Sequence, residues 1–404
     1  MAVATQRMRS GARARDQHPL SRKAKIIGLV VGLLLVWRIC AISLAAGHSD
    51  SSNDLAAADF AGASQAAAIA ATEQRLNDGD FDGAKVFAKH ALSISTISAA
   101  SLRDLGLAEQ GLGNWQKSGA LFSQTAALGW RDAPTQLWLA QAFLQQKDYD
   151  AAAQRMDAAL RLATPNYNLY GTLDQYIADP VFARAMARRL ALNPNWRIYY
   201  LPFATGITEP ALLARTRLLL MLSGSSAPPS RDEMIPVLAA LIRDDRGPAA
   251  RTLWTRSLRI PAAGIFDPGF ANVGTSGMAP FEWSMLPVPG ATVTVEQQGT
   301  RHILHATTDG SASGTMLRQA TALSPGAHTL SFVGTIAGKA HDAFGWSVRC
   351  RSGRALLSTM RSPAPPPYRF EVPEDCRSQQ VELLVSSDAT AAGSAVSFKN
   401  IDIN

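Results

Sequence analysis

Three stretches of this chain repeat one another at a fixed interval. GDFDGAKVFAKHAL (79–92), GNWQKSGALFSQTA (113–126) and KDYDAAAQRMDAAL (147–160) align without a gap, so Phe81, Trp115 and Tyr149 recur with a 34-residue period, as do Ala84, Ser118 and Ala152. A period of that size belongs to supersecondary units that cannot bury an apolar face alone and must stack on their neighbours. The small residue lets one helix approach another closely, while the aromatic residue fills the gap where the two diverge. Ala91-Leu92 and Ala159-Leu160 recur two periods apart, with Thr125-Ala126 as a weaker counterpart between them. Leu105-Gly106 and Leu139-Ala140 occupy one position of the preceding helix.

On these residues, over about 66–165, the chain resembles the tetratricopeptide repeat family. The resemblance implies helix–turn–helix units wound into a superhelix whose concave face is lined by the first helix of each unit. The matching positions are Glu73, Asn77, Arg103, Gln110, Gln141 and Gln145, which would form a groove for a peptide or a partner helix. The alternative is that these are solvated surface residues. Beyond 164 the pattern loosens but stays helical: Asn168–Asp179 and Pro180–Leu192 form a pair, with Pro180 suited to a first turn. Glu209–Leu222 is apolar around most of its circumference, as an internal helix is, and Arg231–Asp244 with Gly247–Ser257 gives a last pair. The helical region is placed at 65–258.

NDGDFDGAK (77–85) also matches the first half of a calcium-binding loop through Asp78, Asp80, Asp82 and Gly83. Such a loop needs a bidentate glutamate at position twelve, which falls on Lys89. The stretch is therefore expected to be the turn between two helices, with equivalents at 113–115 and 147–149 that carry no acidic cluster.

Arg7, Arg9, Arg13, Arg15, Arg22, Lys23 and Lys25 against a single Asp16 give residues 1–25 most of the net charge of +7. The rest of the chain is close to neutral, so the basic balance marks a tail and not a nucleic-acid-binding face. Residues 26–46, IIGLVVGLLLVWRICAISLAA, reach about 31 Å as a helix, enough to span a bilayer core. Arg38 costs about 2.5–3.5 kcal/mol near the centre of such a helix and can snorkel. The basic flank then stays cytoplasmic and the rest lies across the inner membrane, in the periplasm. A cleavable signal ending near Ser43-Leu44-Ala45 is the alternative, and it exports the rest equally. Residues 47–64 read as a polar spacer.

Near 262 the texture changes to short runs of β-branched and aromatic residues: 291–297, 301–307, 315–321, 328–334, 344–350, 368–372, 380–386 and 395–403. Gly, Pro, Asp and Ser separate them, which predicts an antiparallel β-sandwich over 262–404. The opening FDPGFANVGTSGMAPFEWSM and the pairing of first and last strands look like the jelly-roll sandwiches of carbohydrate-binding modules. On that likeness Trp283, in a predicted loop, is a candidate to stack on a sugar ring, and Asp267 and Asp402 could meet around a structural calcium. Trp346 alternates with Phe344 and Val348 and is expected in the core. Cys350 and Cys376 both fall in this exported region, where pairing is favoured over two buried thiols.

No H-E-x-x-H, G-x-S-x-G, phosphate-binding loop or zinc-type cysteine spacing is present in the sequence. His302 and His305 are three apart, on opposite faces of a strand, and suit surface or cross-strand roles. The fold class expected is therefore a transmembrane helix, an α-helical repeat domain and a β-sandwich. The function expected is a non-enzymatic envelope adaptor without cofactor or metal, binding a protein partner through the repeats, with surface-polysaccharide biosynthesis or export as its setting. The alternative is a glycan-binding protein that uses the sandwich.

Overall fold

The computed structural model describes residues 64–404 except 163–164, 204–205, 275–279, 337–339 and 363–364. The basic tail, the apolar segment 26–46 and most of the spacer lie outside the described residues. Among the described residues, no helix is long and apolar enough to cross a membrane. The chain forms two compact units, one ending at Thr135 and one running from Gln136 to Asn404.

The first unit holds α1 (Gln65–Asn77), α2 (Phe81–Ile94), α3 (Ala99–Gly111) and α4 (Trp115–Ala127). Helix α5 (Ala133–Gln145) begins at its end, and α6 (Tyr149–Leu162) follows in the second unit. First helices start at 65, 99 and 133 and second helices at 81, 115 and 149, so both sets keep the 34-residue period. The turns repeat in atomic detail. Gly79, Gly113 and Lys147 take left-handed backbone (φ 76°, 80° and 60°), a conformation glycine adopts without steric cost. The next residue's N–H reaches back to the preceding helix each time, Asp80 to Arg75 O (2.9 Å), Asn114 to Glu109 O (2.8 Å) and Asp148 to Phe143 O (2.9 Å). The starts of the first helices repeat as well. Ser98 caps α3 by accepting from Ser101 N–H (3.2 Å), and Asp132, one period later, caps α5 by accepting from Thr135 N–H (3.0 Å).

Ala84, Ser118 and Ala152 are each 0% exposed, where a larger side chain would hold the paired helices apart. Within the first unit the Phe81 ring lies over Gly111, since a Cβ there would come within 2.3 Å of it, and Phe122 packs against Gly106. Asp80 of the calcium-like stretch is spent on the turn: its carboxylate accepts from Gly83 N–H (2.9 Å) and pairs with Arg75 (2.8 Å). The Gly83 N–H, seconded by Arg75, holds that carboxyl below the usual range. Asp78 accepts from the Gln74 amide (3.2 Å).

The second unit continues through α7 (Tyr167–Tyr176), α8 (Pro180–Leu190), a single turn α9 (Arg197–Tyr200), α10 (Ala211–Ser223), α11 (Arg231–Arg243) and α12 (Gly247–Leu258). Asp179 caps α8 ahead of Pro180, and Ser230 with Glu233 forms a capping box on α11. Helix α10 is internal, burying Leu212, Leu218, Leu219 and Leu222 completely. It buries Arg215 as well, which its apolar neighbours do not announce. The guanidinium meets Asp174 through Nε (2.6 Å) and Nη2 (3.0 Å), gives Nη1 to the Tyr200 and Phe203 carbonyls, and lies 4.1 Å from the centre of the Tyr200 ring. Arg197 and Glu233 form a second buried pair, at 2.7 and 2.8 Å.

Two five-stranded antiparallel sheets complete this unit, ordered β1-β4-β9-β6-β7 and β2-β3-β10-β5-β8. The expected strands are β2 (Ala291–Gln298), β3 (Arg301–Thr308), β4 (Gly314–Thr321), β5 (Gly326–Ile336), β6 (Phe344–Cys350), β8 (Tyr368–Val372), β9 (Gln379–Val385) and β10 (Ala395–Ile403). The short strands β1 (Ser284–Met285) and β7 (Ala355–Ser358) were not expected, because two and four residues are too few to show alternation. The last strand pairs with β3 and β5, while the opening segment reaches it through Ile401 N–H to Pro268 O (3.0 Å). The helical core runs into the sandwich: Trp254 of α12 packs on Phe281 (5.9 Å) and Phe266 (6.4 Å), with Ala320 of β4 in the same cluster.

Cys350 and Cys376 are joined, with Cα atoms 5.5 Å apart. The bridge closes a loop 26 residues long, so its reduction is expected to lower stability by about 3 kcal/mol on loop entropy. Urea unfolding with and without reductant measures it.

Candidate partner-binding face

Arg103 organises the surface that the first helices of the first unit share. From α3 its Nη2 reaches Glu73 of α1 (2.6 Å), its Nε holds Asp104 (2.7 Å), and its Nη1 holds Asp132 at the start of α5 (3.0 Å). Of the residues expected to line a groove, Glu73 and Arg103 are thus brought together as an ion pair. Arg103 is a strut between helices, its fork already occupied. Asp104 and Asp132 were missed as its partners, although Asp132 stands one period after Ser98, at a helix-cap position the repeat makes legible. Asn77 is exposed at the end of α1, Gln110 is half-buried on α3, and Gln141 and Gln145 are exposed on α5 in the second unit. Glu73, Asp104 and Asp132 surround Arg103, and with Arg131 exposed beside Asp132 the local count is three carboxylates against two guanidinium groups.

Asp104 is 1% exposed, its Oδ2 has no hydrogen-bond partner, and burial pushes its carboxyl up to about 6 despite Arg103. A carboxyl whose folded pKa lies above its unfolded value binds protons preferentially in the folded state, so stability falls as pH rises through the folded pKa. The first unit is expected to be about 1 kcal/mol more stable near pH 5 than near pH 7 on this account. Asp104→Asn should flatten that dependence. Hydrogen exchange of the α1–α4 amides, corrected for intrinsic rates, measures both.

On the opposite side of α3, Glu109 is 5% exposed and accepts from Lys85 of α2 (2.9 Å) and from the Asn114 side chain (2.7 Å). Lys85 holds its carboxyl below the usual range, and Asn114 adds to the effect.

The sandwich corrects the expectation for Trp283. Its indole is 3% exposed, packed between Phe270 (5.8 Å) and Trp346 (5.7 Å), with its N–H given to Asp267 O (2.9 Å). A ring enclosed on both faces offers nothing to a sugar. Trp283 lies just ahead of β1, and Phe281, two residues before it, is buried as well. Trp346 is in the core, 0% exposed. The Asp267 carboxylate caps the Ala271 and Asn272 N–H groups, and Asp402 accepts from Ile403 N–H. Among the described residues no group of three or more His, Cys, Asp or Glu side chains is placed to hold a metal ion.

His305 takes a cross-strand role on the outer face of the second sheet. Its Nδ1 meets Ser397 Oγ (2.9 Å) on β10 and its Nε2 lies 3.3 Å from Glu296 on β2. The row has the residue types of a hydrolytic triad without its surroundings. Ser397 stands opposite His305 on β3 and Thr335 on β5, so its own main chain lies inside the ladder.

Neither a family model nor a curated protein matches this chain. Among solved structures, the chain is similar to accessory secretory protein 1, 2 and 3 of Streptococcus pneumoniae at 16% identity, over 28% of this chain and 84% of that one. The TM-score is 0.21, too low to carry a shared fold.

Proposed function

We propose that the protein is a membrane-anchored, non-enzymatic adaptor of the bacterial envelope that holds a protein partner on the face of its first helices. Residues 26–46 are the anchor in this reading, the folded part is periplasmic, and the setting is surface-polysaccharide biosynthesis or export. The observation that carries it is the repetition of one helical hairpin, turn for turn, at a 34-residue pitch, with Arg103 fixing α3 to α1 through Glu73. Stacked hairpins of this kind present long surfaces to partners. The acid excess around Arg103 favours a partner segment rich in lysine, arginine or amide donors.

A photoreactive residue at Asn77 or Gln141, on first helices, should cross-link in intact cells to one discrete protein, and the same residue at Lys89 or Gln124, on second helices, should not. Equal labelling from both faces, or none from the first, would remove the proposal.

A further inference from the structure

We propose that the cleft between α11 and the first sheet binds a carboxylate-bearing sugar, with Arg318 and Arg351 as its carboxylate-recognising pair. The cleft has a volume of about 450 Å³, within the range of small-ligand sites. Arg243 of α11, Arg318 of β4 and Arg351 after β6 converge on it, and no carboxylate lines it. Arg243 is committed to Asp244 and the Ile207 carbonyl. Arg318 and Arg351 have no side-chain partner among the described residues and are both exposed. Glu382 faces Arg318 across the β4–β9 ladder without pairing with it, and its Oε2 is buried.

Two unengaged guanidinium groups beside one cleft match a planar carboxylate, which an arginine fork receives through two parallel hydrogen bonds. The remaining polar lining, Ser284 and Gln380, supplies further donors, with Met285 as an apolar ledge. Such a donor-rich wall suits a ligand dense in oxygen acceptors, as a uronic acid is, more than a peptide, whose main chain brings its own N–H donors. The scaffold for these groups is rigid. Ser284 stands opposite Arg318 in the β1–β4 register, and Arg351 N–H is held by Ser378 O (2.9 Å) next to the Cys350–Cys376 bridge. The site is independent of the first-helix face and does not rest on the adaptor reading.

Calorimetric titration of the full-length protein with digalacturonate tests the proposal, with maltose, triglutamate and inorganic phosphate as comparisons. The expected result is saturable binding of digalacturonate at one site, with no saturable binding of maltose. Arg318→Gln and Arg351→Gln should each weaken it at least about tenfold, the size of one lost charge-assisted contact, at an unchanged unfolding midpoint. Because both side chains are exposed, these variants should fold, and Gln380→Ala provides a third with no change of charge. The proposal is overturned if digalacturonate does not bind, if maltose binds as tightly, if the arginine variants bind like the parent, or if triglutamate or phosphate binds more tightly. Tighter binding of triglutamate or of phosphate would reassign the cleft to an acidic peptide or to a phosphate.

Discussion

Arg215→Ala is expected to lower the stability of the unit Gln136–Asn404 by about 3–5 kcal/mol, the cost of removing one partner from a buried ion pair. Arg215 is 0% exposed, and its loss would strand the Asp174 carboxylate, whose side chain is 13% exposed, together with the Tyr200 and Phe203 carbonyls. The Tyr200 hydroxyl, which donates to the same carboxylate (2.9 Å), cannot neutralise it. Burial pushes the Tyr200 phenol well up, so it remains a neutral donor at all ordinary pH values. Arg215→Met combined with Asp174→Asn should recover most of the loss, because both charges then leave the interior together. Urea unfolding of the two variants and the parent separates these outcomes. Equal losses in the single and double variants would mean that the helices need the pair's shape and not its charge balance.

The sequence showed the hairpin period because each unit must meet the same steric demand at the same place. A side chain larger than Ala84, Ser118 or Ala152 cannot sit at that crossing, and the glycine turn precedes each second helix in two units of three. The helix caps at Ser98 and Asp132 were equally available at the same spacing, but capping residues are common enough that only alignment to the period singles them out. Arg215 with Asp174 and Arg197 with Glu233 lie 41 and 36 residues apart, beyond any local pattern. Trp283 lies outside a strand, as its surroundings suggest, since β1 begins at Ser284, but a residue in a loop is not thereby exposed; the F-x-W spacing from Phe281 is the available sign of an inward pair. The arginine cleft needs β4, β6 and α11 side by side, and adjacency of that kind follows from topology alone.

Deleting one whole period, Ala99–Asp132, has the second large expected effect and bears most directly on the account that these hairpins are equivalent units at a 34-residue pitch. The deletion joins Ser98 to Ala133, so a serine cap stands where Asp132 stood and α5 follows α2 as α3 did. Equivalent hairpins tolerate such a cut once Gln145, which takes the place of Gly111 under the Phe81 ring, is replaced by glycine in both shortened chains. Removing Ala99–Gln136, four residues more, takes the first turn of α5 and its Asp132 cap, sets what remains of that helix out of phase by about one turn, and should abolish cooperative folding of the hairpins. The measurement is denaturant unfolding of the two shortened chains followed by circular dichroism. The in-phase chain is predicted to keep a cooperative helical transition and to lose only the signal of two helices. Loss of that transition in the in-phase chain, to the same extent as in the out-of-phase control, would contradict the account.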